Sequence, residues 1–287
     1  MREYVHIEGD QFSGQELSVQ LRTSYADHPL VIGPRYQPKD LYLMPVYNLG
    51  EMSSGLIIYG IGEHGVHLAK QLKTGNFLRT YEARCKFGRA TDNYFEEGRT
   101  KEKTTFKRAE LASFLRLIGK TVSSHRPIIF RSLGIDMHSQ EAFQLFCSGP
   151  TRPFSQQTLP LLFGLKCLHF KPPEFTLQLV AVNEEEEFIG TLVHGLGLKM
   201  KSTACISSLR CVRYGYFKVE NALLDKEWTV EGVINNIGIC SENTSQDKLS
   251  PVSPNIMADD PSTRQSFLEQ IEKNKDKFVV TESPVIR

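Results

Sequence analysis

The sequence lacks most of the features that would assign it quickly. It has no apolar run near the length of about 20 residues that a membrane helix needs, so no span is expected. It has no charge excess: 34 Lys and Arg stand against 33 Asp and Glu, a formal charge of +1. A global field that would draw in nucleic acid is therefore missing, and any RNA or DNA site must rest on local charge. The six cysteines (Cys85, Cys147, Cys167, Cys205, Cys211 and Cys240) contain no CxxC pair. Scattered in this way, they read as reduced, mostly buried thiols of an intracellular protein. No export signal opens the chain. Glu3, Glu8, Asp10 and Glu16 interrupt what would be a mitochondrial presequence, because such leaders are Arg-rich and poor in acids. Internal repeats are absent as well.

What remains is the profile of a globular protein. Hydrophobic residues make up 40% and charged ones 23% of 287 residues, enough for one large domain or two small ones. Residues 38–60 hold two short apolar runs, "LYLMPVY" and "GLIIYG", which read as strands joined by a hairpin or a loop. A helix is expected over His64–Leu72, a long strand over 77–88, and a charged loop over Arg99–Lys107. Leu111, Phe114, Leu115 and Ile118 recur at helical spacing. "RPIIFRSLG" reads as a strand and Gln140–Phe146 as a helix. "LPLLFGLKCLHF" and "EFTLQLVAV" form an expected antiparallel pair. Glu185–Leu198 puts Phe188, Ile189, Leu192, Val193 and Leu196 on one helical face. "TACISSLRCVRYGYFKV" reads as a strand pair around Tyr214-Gly215, followed by a short last helix over Asn221 to Trp228. From Ser241 the composition turns polar, so 241–263 is expected to be a disordered linker and 264–278 a weak helix. Strands and helices alternate without a βαβ rhythm, which predicts a mixed α+β fold.

Three local patterns invite chemistry. Gly60-Ile61-Gly62-Glu63-His64-Gly65 matches GxGxxG between a strand and a helix, the context of a dinucleotide fingerprint. Its acidic partner would be Glu82, inside the next apolar strand, so a strand-to-helix turn that needs glycine is the simpler reading. His64 and His67 share helical spacing but lack further ligands, so no metal is expected. The run Glu184-Glu185-Glu186-Glu187 reads as the solvated first turn of the following helix, where the helix dipole favours acids.

Four segments carry a stronger signal together than any does alone. "YNLGEMSSGLIIYGIGEHGVHL" (47–68), preceded by "HPLVIGP" (28–34), resembles the catalytic segment of the TruB family of pseudouridine synthases. That segment has the form x-x-L-D-x-x-x-S-G, then an apolar strand, glycines and a helix. "RTYEARCKFGRATDNYFEEGR" (79–99) is similar to the family's K-x-Y segment, with Tyr81, Gly88, Thr91, Asp92 and Gly98 in place. "FGLKCLHFKPPEFTLQL" (163–179) and "LRCVRYGYFKVENAL" (209–223) resemble its later segments. The likeness runs from Tyr47 to about Trp228 and is closest to the animal mitochondrial messenger-RNA branch.

The resemblance implies a pseudouridine synthase fold: a mainly antiparallel sheet, flanking helices and a central RNA cleft. It implies no cofactor. In such enzymes a uridine is turned out of structured RNA into the cleft. An Asp carboxylate attacks, the base turns and it rejoins through carbon. A Tyr stacks on the base, and an Arg pairs with the Asp.

In this chain the Tyr is Tyr81, but Gly50 stands at the Asp position and Gly190 at the Arg position. Glu51, the next residue, is a displaced substitute: one step along an extended chain turns a side chain to the opposite face. The two losses are physically linked, because an Arg without its carboxylate would be a buried unpaired charge. The second Arg of the family's L-R-R segment is Cys211, and its Lys-Pro-Pro-Gly-type opening segment has no counterpart in 1–27.

RNA affinity is separable from chemistry. Between Lys73 and Arg108, ten Lys and Arg stand against five acids, around Tyr81. Expected RNA contacts are Arg79, Tyr81, Lys86, Arg89, Leu209 and Arg210. Lys166, Lys171, Lys199, Lys201 and Arg213 extend the basic set.

The leading expectation is a pseudouridine synthase-like domain over 1–240 and a disordered or weakly helical tail over 241–287. It would bind structured mRNA, tRNA or rRNA, be catalytically impaired or inactive, and serve mitochondrial RNA modification, processing or ribosome assembly. The alternatives are an active synthase using Glu51 or another acid, and a nucleotide-binding enzyme built on 60–65.

Overall fold

The structure, a computed structural model, describes residues 3–8, 18–23, 28, 31, 41–140, 142 and 159–249. Its centre is a mainly antiparallel sheet. Four long strands form it: β6 (Arg79–Phe87), β9 (Leu161–Lys171), β10 (Glu174–Val182) and β11 (Ala204–Tyr214). In space the order is β12 (Phe217–Lys218), β11, β6, β10, β9, and β4 (Ser53–Gly55) pairs parallel with β11. The fold is therefore the mixed α+β arrangement that the alternation implied.

Period-2 alternation in β6 drives the packing. Tyr81, Ala83, Cys85 and Phe87 are buried, whereas Glu82, Arg84 and Lys86 are not. On the buried face β6 meets Leu177 and Leu179 of β10 and Ile206 and Leu209 of β11. Two helices cover that face: α2 (Leu111–Ser132), through Phe114 and Ile118, and α3 (Glu186–Lys199), through Ile189, Val193 and Leu196. Phe87 stacks on Phe175 at 4.2 Å between ring centres, with Phe114 edge-on to both. A second apolar cluster joins Val180 and Val182 of β10 to Leu56, Phe77, Tyr214 and Phe217. Its lid is Ala69 and Leu72 of α1 (Gly62–Thr74).

Ahead of α1, β3 (Leu43–Pro45) and β5 (Tyr59–Ile61) pair with each other. The segment between them supplies β4, so the expected loop is itself part of the main sheet. Gly55 makes that docking possible. Its φ is +115°, and a Cβ there would sit 2.2 Å from the Cys211 carbonyl oxygen.

Several expectations need correction. Within Arg99–Lys107, Thr100–Lys103 forms β8, which pairs with β7 (Arg89–Thr91). All four β8 side chains are exposed, so backbone hydrogen bonds alone hold it and no apolar pattern announces it. "RPIIFRSLG" is not a strand. It continues α2 through an internal Pro127, and the helix ends where Gly134 adopts φ +69°. Packing of α2 against β9 overrides the β-branched Ile128-Ile129 pair.

The last helix lies beyond Trp228. Residues 219–221 and 225–227 are single 3₁₀ turns, and α4 (Val230–Ser241) is capped by Thr229, whose hydroxyl accepts from the Gly232 N–H. A 3₁₀ turn over 242–244 and α5 (Gln246–Leu249) follow 241, so the described part of the expected linker is helical on either side of Ser245. Near the N-terminus β1 (Glu3–Glu8) and β2 (Ser18–Thr23) pair antiparallel, an element the sequence reading did not foresee. Most of the expected helix over 140–146 lies outside the described residues, as does the expected tail from 250 onward.

Candidate functional site

A cleft of about 690 Å³ opens between the loop before β4, the start of β6, the turn after β7 and the N-terminus of α3. Asn48 to Ser53, Arg79, Tyr81, Tyr94, Leu209 and all of Glu184–Glu187 line it. The sheet thus brings together three of the four sequence segments singled out above. It also adds a fourth wall, the acidic run, which sequence reasoning had dismissed as a solvated helix turn.

That dismissal is overturned for two of the four glutamates. The Glu184 side chain has no exposed surface, and one of its carboxylate oxygens lies 2.6 Å from Arg79 Nε. Burial raises its pKa; the Arg79 guanidinium pulls the other way without cancelling it. Burial, reinforced by Glu184, likewise pushes the Tyr81 phenol far up, so the phenol stays neutral beside the carboxylate. Arg79 is held a second time, its guanidinium carbon 5.0 Å from the centre of the Tyr47 ring. Tyr47 stacks on Tyr214 at 4.8 Å and donates to the Leu56 carbonyl. Burial pushes the Cys211 thiol beside it up to about 11.

Glu186 is the second. It is the first residue of α3 and half-buried. One carboxylate oxygen accepts from the Met52 N–H at 3.0 Å and from the Ser53 hydroxyl at 2.5 Å. A Cβ placed on Gly50 would lie 1.9 Å from Glu186 Cδ and 2.3 Å from its Oε1. Glu186 therefore fills the space that a side chain at position 50 would take. Gly190 is occupied in the same sense: a Cβ there would meet Tyr94 Cβ at 2.7 Å. The only sequence signal for either glutamate was position, directly after the buried end of β10.

The expected site residues separate. Arg79, Tyr81 and Leu209 line the cleft, with Tyr81 5% and Leu209 1% exposed. Glu51 lines it too, and its side chain is exposed. Lys86 and Arg210 extend from the other face of the sheet. Lys86 pairs with Glu96 at 2.8 Å, and Arg210 stands opposite Glu82 in the ladder. Arg89, in β7, donates to the Gly98 carbonyl at 3.1 Å.

The glycine motif has a packing role. A Cβ on Gly60 would strike the Gly65 carbonyl oxygen at 2.2 Å, and among the described residues β5 pairs with β3 alone, antiparallel. Among the described residues no cluster of His, Cys, Asp and Glu fits a metal, and no helix is long and apolar enough to cross a membrane.

No family model matches the chain. Individual relatives do. It is 29% identical over 250 residues to the human mitochondrial pseudouridylate synthase TRUB2, covering 87% of this chain and 74% of that one. It is 32% identical over 219 residues to the Xenopus tropicalis protein of the same name, covering 76% and 66%. Against the rat protein it is 30% identical over 227 residues, covering 79% and 69%. Likeness to solved structures is distant. The archaeal box H/ACA Nop10–Cbf5 complex matches at 13% identity and TM-score 0.34, over 71% of this chain and 50% of that one. The chain thus spans half the length of that solved protein. On the relatives' identity and coverage, this chain belongs to the TruB family of pseudouridine synthases.

Proposed function

We propose that this protein is an RNA-binding, catalytically impaired member of its family that acts in mitochondrial RNA modification or processing. One observation carries the reading. The spaces beside Gly50 and Gly190, where the resemblance puts the attacking Asp and its Arg, are filled by Glu186 and by Tyr94. Arg79, the cation that lines the cleft, is bound to Glu184 and cannot take over the missing Arg without breaking that pair. Since a displacement of about 1 Å costs on the order of a hundredfold in rate, normal turnover is not expected from this arrangement. The mitochondrial setting follows from the names of the relatives.

The test uses the full chain and a pool of unmodified tRNA and rRNA-fragment transcripts. Filter binding is expected to show salt-dependent RNA binding. Under single-turnover conditions pseudouridine is expected to form at least a hundredfold more slowly than with the human relative. Absence of RNA binding overturns the reading, and so does turnover at the relative's rate.

A further inference from the structure

We propose that Glu186 is the working carboxylate of this cleft and carries whatever isomerisation the protein retains. The inference rests on the reading that uridine-containing RNA enters the cleft.

Six carboxylates line the cleft: Glu51, Asp92 and Glu184 to Glu187. Glu184 is committed to Arg79 in full burial. Asp92 accepts the Arg99 N–H at 2.9 Å, which ties it to its own turn. Glu51, Glu185 and Glu187 are exposed. Glu186 alone is both held and half-open. Two donors from the segment before β4 fix one oxygen, at 3.0 and 2.5 Å. Its carboxylate lies within 2.3 Å of the point from which a residue-50 side chain would start.

A carboxylate has thus been lost from the loop and recovered, in nearly the same volume, from the first turn of α3. The change of origin alters its approach, which fits slow chemistry better than none. In the step itself, a Glu186 oxygen bonds to the ribose C1′ as the C1′–N1 bond breaks, and uracil leaves with the electron pair. The turned uracil then attacks C1′ through C5 and frees the carboxylate. Water removes the C5 proton and another proton is delivered to N1, so the product is an isomer.

Five proteins test this on the transcript pool above: wild type, E186Q, E51Q, G50D and G50D/E186A. Each is read for RNA binding, thermal midpoint and single-turnover pseudouridine formation. Slow product is expected from wild type, and at least a hundredfold less from E186Q with binding and midpoint unchanged. G50D alone is expected to gain nothing, because Glu186 holds its space. G50D/E186A is expected to exceed E186Q at least tenfold, because it restores a carboxylate to the volume that Glu186 occupied, whereas a merely structural Glu186 would leave E186Q as active as the wild type. The inference is overturned if wild type binds RNA but forms no product, or if product survives E186Q. Loss of product in E51Q, with Glu186 intact, overturns it also. Failure of wild type to bind RNA would instead refute the proposed function, so the two failures are distinct.

Discussion

The two faces of one sheet differ more than their sequences suggest. Along β6, Tyr81, Ala83, Cys85 and Phe87 turn toward the helices and the cleft, while Glu82, Arg84 and Lys86 turn outward beside Thr176 and Gln178 of β10 and Ser208 and Arg210 of β11. The cleft side has six carboxylates and one cation, Arg79, which is already paired. The outer side and the β7–β8 hairpin carry Arg84, Lys86, Arg210, Lys101 and Lys103 against Glu82, Glu96 and Glu102. A basic stretch that looks uniform in sequence is thus sorted by strand alternation onto surfaces of unlike charge. Under the proposed function, the outer side is the expected place for phosphates and the cleft for an uncharged base.

The comparison can be broken first by stability. Phe175→Ala, on the packed face, is expected to cost about 3–5 kcal/mol in urea unfolding, whereas Arg84→Ala on the open face stays within about 0.5 kcal/mol. Similar costs for the two would refute the assignment of faces.

Next comes the buried pair. Glu184→Ala is expected to cost about 3 kcal/mol because it strands Arg79, and a second change, Arg79→Met, is expected to return most of that loss. Additive losses in the double variant would deny the pairing. Gly190→Arg should cost about 1–3 kcal/mol by driving a side chain into Tyr94, and Tyr94→Ala is expected to relieve it. A midpoint unmoved by Gly190→Arg would show that the space is not taken.

Salt titrations then compare the two faces in binding. Lys86→Ala and Arg210→Ala are each expected to reduce the RNA salt slope by about one, while Tyr81→Ala weakens binding with the slope unchanged. The reverse pattern would put the phosphates in the cleft.

The smallest effect belongs to the exposed Lys86–Glu96 pair. The hydrogen bond from Lys86 holds the Glu96 carboxyl below its usual range. A depressed carboxylate stabilises the fold above its unfolded pKa and loses that contribution as pH falls through the folded one. Glu96→Gln is therefore expected to cost about 0.2–0.5 kcal/mol at neutral pH and nothing in acid, by thermal melts. A cost that persists in acid would deny the charge origin.

Much of this was legible in the chain. The strand over 77–88, the helix ahead of Leu198 and the paired strands around Lys171-Pro172-Pro173 all follow from periodicity. The failures have physical causes. Thr100–Lys103 buries no side chain, so only its backbone ladder makes it a strand. Ile128-Ile129 lies in a helix that β9 packing sustains through Pro127.

By itself the sequence determined the alternation that builds the sheet, the family segments and the absence of side chains at 50 and 190. Only the tertiary structure decided what fills those absences. Glu186 lies 136 positions after Gly50 and Tyr94 lies 96 before Gly190, and no local pattern encodes contacts at such separation. A run of four glutamates before a helix looks like a solvated first turn. Packing of β10 against β6 buries Glu184 beside Arg79, and docking of β4 on β11 brings the Met52 and Ser53 donors to Glu186.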